Sequence, residues 1–227
     1  MTENRVAAVD RALSLLGCFD AEHDRLTLKQ LAERTGLYKS TILRLAGSLE
    51  ASGYLNRLDD GSFSLGPTLW RLGSIYRKRF NFAETIRPVL RKLAETTHES
   101  ASFYIRDGET RVCLFRQNGP QSIRHHLDEG AQLPLEQGAA GHLIRAYTDG
   151  SGEQAADIMK TGYAISLGER DPDTASVAVP VFGADRNFLG AVVVSGLRTR
   201  FDETARGTAI KAALAAASEL GPKLIQP

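Results

Sequence analysis

The chain has 227 residues, of which 42% are apolar and 24% are charged, and its formal net charge is +1. This composition allows one or two folded domains with a sizeable core and excludes wholesale disorder. The charge is unevenly spread, because residues 1 to 80 carry twelve Lys and Arg against nine Asp and Glu, about +3, and the remainder is about −2. Such a bias supports nucleic-acid binding only where a motif also indicates it.

Membrane and redox functions find no support in the sequence. No apolar run reaches the ~20 residues that a membrane helix needs, and no signal peptide is recognisable, so we expect a cytoplasmic protein. Cys18 and Cys113 lie far apart, and neither has a partner at metal-ligand or redox spacing. We expect both to be buried thiols.

The first predicted element is a helix over Val6 to Phe19. Apolar residues recur on it at helical spacing: Val9, Ala12, Leu13 and Leu16. We expect this face to pack under the helices that follow.

Thr27 to Tyr54 is typical of two short helices joined by a tight turn. Thr27 and Gln30 form a capping-box pattern that marks where the first helix begins, and Gly36 tolerates the left-handed conformation at its end. Apolar residues follow helical spacing in both halves: Leu28, Leu31 and Ala32, then Ile42, Leu45 and Leu49. The stretch predicts a helix-turn-helix, whose second helix can enter a major groove.

The first turn of the second helix carries Lys39, Ser40 and Thr41, with Arg44 one turn later. Short hydroxyls and basic side chains at a helix N-terminus suit DNA phosphate, because free backbone N–H groups and the helix dipole also favour an anion there. The alternative is that the hydroxyls cap the helix and the charges are merely solvated.

A predicted β-hairpin follows directly. Asp60-Gly61 is a strong signal for a two-residue turn, and the flanking residues partly alternate between apolar and polar. A helix-turn-helix followed by a hairpin is a winged helix. Arg57 would contact phosphate or the minor groove, or it is an ordinary surface charge.

These segments resemble the amino-terminal domain of the IclR family of bacterial transcriptional regulators. The resemblance rests on RALSLLGCF, LTLKQLAERTGLYKSTILRLAGSLEASGYL and FSLGPTLWRLG, in this order and spacing. It implies an α+β protein with a winged helix-turn-helix domain at 1–66, a linker helix at 67–80 across which two such domains pair, and a GAF/PAS-like effector-binding and oligomerisation domain at 81–227. It also implies a homodimer or homotetramer that binds a double-stranded DNA operator through Thr27, Lys39, Ser40, Thr41, Arg44 and Arg57.

The second half of the chain alternates between helical and strand patterns. A helix is predicted over Asn81 to Thr97, and Pro88 inside it should cause a kink or a restart. Strands are predicted at Ala101 to Arg106, Arg111 to Arg116, Ile123 to Leu127, Ala164 to Leu167, Ala175 to Phe182 and Phe188 to Ser195. Helices are predicted within Leu133 to Tyr147, at Gln154 to Lys160 and at Asp202 to Leu220.

Gly138-Ala139-Ala140-Gly141 is a loop of small residues just before a predicted helix. Its backbone N–H groups could approach an anion, or the loop could simply pack closely on the sheet. The resemblance favours the first interpretation and implies an effector site lined by Ala139, Ala140, Gly141, Ser166, Ser176, Val193 and Ser195. Small organic acids are the usual ligands of similar proteins.

Departures from the family pattern shape the expected ligand. Relatives commonly carry Lys where this chain has His142, an acid near Ser166, and Ser at the position of Val193. The expected cavity is therefore less charged and more apolar, which favours an aromatic or longer-chain acid. Three arginines are candidates for pairing with its carboxylate: Arg106, Arg116 and Arg124.

Enzymatic function is not expected. The chain has no G-x-S-x-G and no H-E-x-x-H, and its five His residues show no ligand spacing beyond the adjacent His125-His126. No cofactor and no metal are predicted. The alternative to a regulator is a ligand-binding or dimerisation module with vestigial DNA binding.

Overall fold

The computed structural model describes residues 6–20, 22–79, 82–124 and 127–224. The chain divides into two compact units, Met1–Lys78 and Arg79–Pro227.

The first unit is a winged helix-turn-helix, as the sequence predicted. Its elements are α1 (Ala7–Leu16), β1 (Arg25–Leu26), α2 (Leu28–Thr35), α3 (Lys39–Ala51), β2 (Leu55–Arg57), β3 (Phe63–Leu65) and α4 (Pro67–Arg79). The three strands form an antiparallel sheet in the order β1-β3-β2. Leu15, Leu31, Ile42 and Phe63 are fully or almost fully buried and join the helices to this small sheet.

The apolar face of α1 is only partly buried, which corrects the sequence expectation. Leu15 is fully buried, whereas Val9 and Leu13 are 53% and 57% exposed. The apolar stripe of α1 is therefore wider than the face that the core of this unit covers.

The wing turn also differs from the prediction. Leu58 N–H donates to the Ser62 carbonyl, so three residues, Asp59 to Gly61, form the loop. Gly61 has a φ of +79°, and a left-handed Gly at the third position is typical of a three-residue hairpin loop. The hairpin prediction is confirmed, but the two-residue turn is wrong.

The second unit is an α+β domain. It consists of α5 (Phe82–Thr97), β4 (Ser100–Asp107), β5 (Thr110–Gln117), β6 (Gln132–Pro134), α6 (Gly138–Thr148), α7 (Ala155–Thr161), β7 (Ala164–Leu167), β8 (Thr174–Phe182), β9 (Phe188–Leu197) and α8 (Glu203–Leu220). Short 3-10 helices follow β9 and α8. The six strands are antiparallel in the order β6-β5-β4-β9-β8-β7.

Helices cover both faces of this sheet. Val177 and Val179 of β8 pack in the core that contains α5 and α8, while Ala178 between them packs in the core that contains α6 and α7. The alternation follows from the two-residue period of a strand. It places Ser176, two residues before Ala178, on the α6 face.

One sequence expectation is wrong in this unit, and one of the two alternatives at Pro88, the restart, is excluded. Ile123 lies in a bend rather than a strand, and positions 125–126 fall outside the described residues; the edge strand is β6, which pairs with β5. α5 continues through Pro88 without a restart. Pro88 and Glu84 are exposed, so water can satisfy the Glu84 carbonyl that loses its helical donor.

Candidate DNA-binding surface and effector site

The start of α2 is fixed by the predicted capping box. The Thr27 hydroxyl accepts a hydrogen bond from Gln30 N–H at 3.3 Å, and the Gln30 Oε1 accepts from Thr27 N–H at 2.8 Å. Gly36 ends the helix with a φ of +69°. Thr27 remains exposed, so its side chain orients the helix from a position at the surface.

α3 has one buried and one exposed face. Ile42 and Ala46 are fully buried, whereas Lys39, Ser40 and Arg44 are exposed. The buried face sets which side chains point outward, because residues three and four apart share a helical face. Thr41 is half-buried between the two faces.

Tyr38 was not predicted as part of this surface. It occupies the N-cap position of α3 without a capping side-chain hydrogen bond, and it is 85% exposed. The sequence feature that could have identified Tyr38 is its position as a large aromatic residue directly before Lys39 and the first turn of α3.

Arg57 ends β2 and is exposed. Its guanidinium lies 5.8 Å from the centre of the Phe63 ring, on the neighbouring strand. Hydrogen bonds from the Ser62 hydroxyl and N–H lower the pKa of Asp60 at the hairpin tip. The tip therefore carries a fixed anion near the end of the wing.

A cavity in the second unit lies beside the first turn of α6, against the face of the sheet. Its lining residues come from all six strands of the sheet, the start of α6 and the β7–β8 turn: Tyr104, Arg111, Leu133, Gly138, Ala139, Ala140, Ser166, Arg170, Thr174, Ala175, Ser176, Val193 and Ser195. Six of the seven predicted effector contacts lie here. The exception is Gly141.

A row of serines crosses the cavity side of the sheet. Ser176 of β8 pairs in register with Ser166 of β7 on one side and with Ser195 of β9 on the other. Residues directly opposite in antiparallel strands point to the same face, so the three hydroxyls share the α6 face. The row continues to Ser100 of β4, whose hydroxyl accepts from Gly119 N–H.

Arg111 of β5 is the functional candidate that the sequence analysis missed. The residue is only 3% exposed, and its guanidinium lies 5.9 Å from the centre of the Tyr104 ring. Nη1 donates to the Pro134 carbonyl, but Nε has no hydrogen-bond partner among the described residues. Burial lowers the pKa of Arg111 to about 10, so the side chain stays cationic at neutral pH.

The Gly-Ala-Ala-Gly segment is the first turn of α6 rather than a loop before it. A Cβ at Gly141 would lie 2.4 Å from the Leu135 carbonyl oxygen and 2.7 Å from Nη1 of Arg111, and one at Gly138 would lie 3.2 Å from Nη2. Because Gly138 and Gly141 have no side chain, the Arg111 guanidinium can pack directly against the first turn of α6.

The N-terminus of α6 already holds a carboxylate of the chain. Glu169 accepts from Gly138 N–H at 2.9 Å and contacts His142 Nε2 at 2.6 Å. Burial alone would raise the pKa of Glu169, but the hydrogen bonds from Gly138, His142 and Ser166 outweigh it and lower that pKa. Glu169 thus provides an acid near Ser166, whereas the sequence analysis expected this chain to lack one there.

The three arginines predicted for the carboxylate do not line the cavity. Arg106 binds Thr148 and Asp149 at the end of α6, Arg116 donates to Ser102 at 3.0 Å, and Arg124 donates to the Gln121 carbonyl at 3.1 Å. Two other arginines and five hydroxyl-bearing residues line the cavity instead. The lining is more polar than the sequence analysis expected.

Metal-ligand clusters and membrane-spanning helices are both absent from the described part of the chain. It contains no cluster of three or more His, Cys, Asp or Glu side chains that could hold a metal ion. None of its helices is long and apolar enough to cross a membrane. Cys18 and Cys113 are both buried and free, as predicted.

Comparison with known proteins matches both units. Residues 8–59 match the family model of the IclR helix-turn-helix domain. Residues 75–157 and 152–221 match that of the bacterial transcriptional regulator IclR C-terminal domain.

Individual relatives match along most of the chain. The HTH-type transcriptional regulator KipR of Bacillus subtilis is 25% identical over 88% of this chain and 90% of its own. BhcR of Paracoccus denitrificans is 27% identical over 95% and 86%. The crystal structure of an IclR transcriptional regulator from Alicyclobacillus acidocaldarius, 23% identical, has the same fold, with a TM-score of 0.82 over 96% of this chain and 98% of that one.

The two domain matches together span most of the sequence: the first covers the winged helix as far as the wing loop, and the second covers most of the α+β unit described above. The chain belongs to the IclR family of bacterial transcriptional regulators.

Proposed function

We propose that this regulator binds a double-stranded DNA operator through α3 and the wing, and that a small organic acid in the α6 cavity changes its affinity for that operator. The observation that supports DNA binding is that α3 has one buried and one exposed face. Ile42 and Ala46 are completely buried on one side, so Lys39, Ser40 and Arg44 are held on the exposed side. A helix anchored in this way can present side chains to base edges and phosphates.

Roles can be assigned to individual residues. Arg44, on the exposed face one turn into α3, reads a base edge, since Arg is the commonest reader of guanine. Lys39 and Ser40 bind phosphate at the helix N-terminus. Thr27, Thr41 and Arg57 hold the helix pair and the wing against the backbone.

Self-association is supported by exposed apolar side chains on two helices of the first unit. Val9 and Leu13 of α1 are 53% and 57% exposed, and Trp70 and Ile75 of α4 are 75% and 54% exposed. Such side chains favour contact with a second copy. A dimer, alone or paired with another, would place two recognition helices in successive major grooves about 34 Å apart.

The effector would act by coupling two sites. Its occupancy of the cavity changes the spacing of paired DNA-binding domains through α4, and so shifts operator affinity. An aromatic or longer-chain acid is the class that we favour. A structure of the same fold, an IclR homologue from Microbacterium hydrocarbonoxydans (17% identical, TM-score 0.76, 94% of this chain and 99% of that one), was crystallised with 4-hydroxybenzoate.

In this proposal the protein catalyses no reaction and acts in the cytoplasm, where its operator lies. A ligand-binding module with vestigial DNA binding is the alternative. The two functions differ in whether the full-length protein binds DNA at all.

Fluorescence anisotropy with labelled DNA from upstream of the protein's own gene tests the proposal. Arg44→Ala should relax base preference, and Lys39→Ala should weaken all sequences and lower the slope of log affinity against log salt by about one. Lys160→Ala, an exposed cation on α7, is the control and should change neither. Binding that neither α3 variant alters would show that α3 is not the recognition helix.

A further inference from the structure

The α6 cavity contains a cationic side chain with unused hydrogen-bonding capacity. Arg111 is 3% exposed, and its Nε finds no partner in the described parts of the chain. Buried polar groups are nearly always hydrogen-bonded, so a buried guanidinium that lines a cavity and has an N–H without a partner indicates a missing acceptor. The acceptor best suited to a guanidinium is a carboxylate, which matches its fork of donors.

The electric field around Arg111 also favours an anion. The residue lies against the first turn of α6, where the helix dipole is positive, and Arg170 lines the same cavity and lowers the pKa of Arg111 further. Two cationic side chains therefore line a cavity from which water is largely excluded, and electrostatic attraction is stronger there than at the surface.

Two described carboxylates of the chain are close to this turn, Glu136 and Glu169, and both attract the Arg111 guanidinium and partly offset the lowering of its pKa by burial. Glu169 accepts a hydrogen bond from Gly138 N–H and contacts His142, so it occupies the N-terminus of α6. An incoming acid would have to displace Glu169 to bind that helix end. Within the described residues, neither carboxylate is hydrogen-bonded to Arg111, whose Nη1 donates to the Pro134 carbonyl, so an acid can bind the guanidinium without displacing one.

The opposite side of the cavity offers hydroxyls. Ser176 and Ser195 face each other across β8 and β9, and β4 separates β9 from β5, which carries Arg111. Arg111 pairs with Arg106 and Ser195 with Ser100 on β4, so their backbones are about 10 Å apart across the strands and about 20 Å apart along them. The arginine side chain spans part of that distance, and an extended ligand would span the rest.

We propose that Arg111 binds the carboxylate of the effector, and that Ser176 and Ser195 bind a second oxygen-bearing group at its other end. The effector class is then an extended acid with a hydroxyl, oxo or second carboxylate group remote from the first. This rests on the proposed function, in which the cavity takes an organic acid. It differs from capture of the acid by the N-terminus of α6.

Paired ligands separate these possibilities. Calorimetric titration of the full-length protein compares 4-hydroxybenzoate and adipate with their primary amides, which keep the shape but lose the charge. The wild type should prefer one or both acids over their amides by about tenfold or more. Arg111→Met should abolish that preference, and Arg106→Gln should keep it, because Arg106 is the register partner of Arg111 on β4 but binds Asp149 outside the cavity.

A more conservative variant covers the case in which Arg111→Met does not fold. Arg111→Lys keeps the charge in a smaller side chain but loses the guanidinium fork, so it should bind the acid about tenfold more weakly than the wild type. Ser176→Ala combined with Ser195→Ala should remove the preference for 4-hydroxybenzoate over benzoate. Affinity unchanged in Arg111→Lys, or acid preference retained in a folded Arg111→Met, overturns the role of Arg111.

A different result would count against the proposed function. If neither these acids nor any member of a wider panel of aliphatic and aromatic acids binds the wild type, the cavity is not an acid site, and this inference fails with that proposal. If the acids bind but Arg111 variants bind them equally well, the proposed function stands and the assignment of Arg111 is wrong.

Discussion

The Glu99 carboxylate and the Arg200 guanidinium form two hydrogen bonds, 2.7 Å and 3.0 Å long, that join the start of β4 to the 3-10 helix after β9. Glu99 is 6% exposed. A Cβ at Gly196 would lie 2.4 Å from the Glu99 carboxylate, so the glycine makes room for the pair. The ion pair therefore holds together the start of β4 and the end of β9. Ser195, which lines the cavity, lies near that end of β9.

Glu99→Gln should lower the free energy of unfolding of the second unit by about 2 kcal/mol, because it leaves a partly buried arginine without its counter-charge. Urea unfolding of the full-length protein measures the change. Glu219→Gln is the matched control: Glu219 pairs with Lys223 on an exposed stretch, where a surface pair contributes little. Equal shifts for the two variants would mean that the Glu99 pair contributes no more than a surface contact.

Thr27 combines a structural role with a proposed DNA contact, and two substitutions separate these roles. Thr27→Ala removes the acceptor for Gln30 N–H and should destabilise the first unit by about 1 kcal/mol. Thr27→Ser keeps the cap and should retain stability. Thermal unfolding measures the first effect and operator binding the second; a Thr27→Ser protein as unstable as Thr27→Ala would contradict the capping role.

The helix-turn-helix was predictable because its signals are local. The capping box of Thr27 and Gln30 and the left-handed Gly36 are confirmed, since each acts within one turn of the chain. The wing turn shows the limit of such signals. Asp60-Gly61 fits both a two-residue and a three-residue hairpin loop, and only the Leu58–Ser62 pairing decides between them.

The candidate effector site depends on contacts between segments that are far apart in the sequence. Arg111 lies in a strand that alternates buried residues, but its burial requires room beside Gly138 and Gly141, which are far along the chain. The sequence indicated the serines through family resemblance, whereas their common register across three strands is visible only in the sheet. β6 was missed because a three-residue edge strand carries almost no periodicity.

Val9→Asp tests the proposed self-association. Val9 is 53% exposed in the first half of α1, where an acidic residue suits the helix dipole, so folding should be unaffected. A charge placed in an apolar contact between copies should instead reduce the mass measured by sedimentation equilibrium. Met159→Asp, also 53% exposed but on α7, serves as the control. Unchanged mass for Val9→Asp would exclude α1 from the interface.

The carboxylate of Glu169 makes the stability of the cavity region pH-dependent. Although burial opposes ionisation, hydrogen bonds from Gly138 and His142 lower the pKa of Glu169 in the folded state. A lowered folded-state pKa stabilises the protein above the unfolded-state pKa, about 4.3 for glutamate, and this contribution is lost as the pH falls through the folded-state pKa. Glu169→Gln cannot ionise, so it should be less stable than the wild type at pH 7, and the gap should narrow below about pH 4. Melting temperatures of the two proteins from pH 7 to pH 3.5 measure the gap; a gap that stays constant over this range would mean that the Glu169 charge does not stabilise the start of α6.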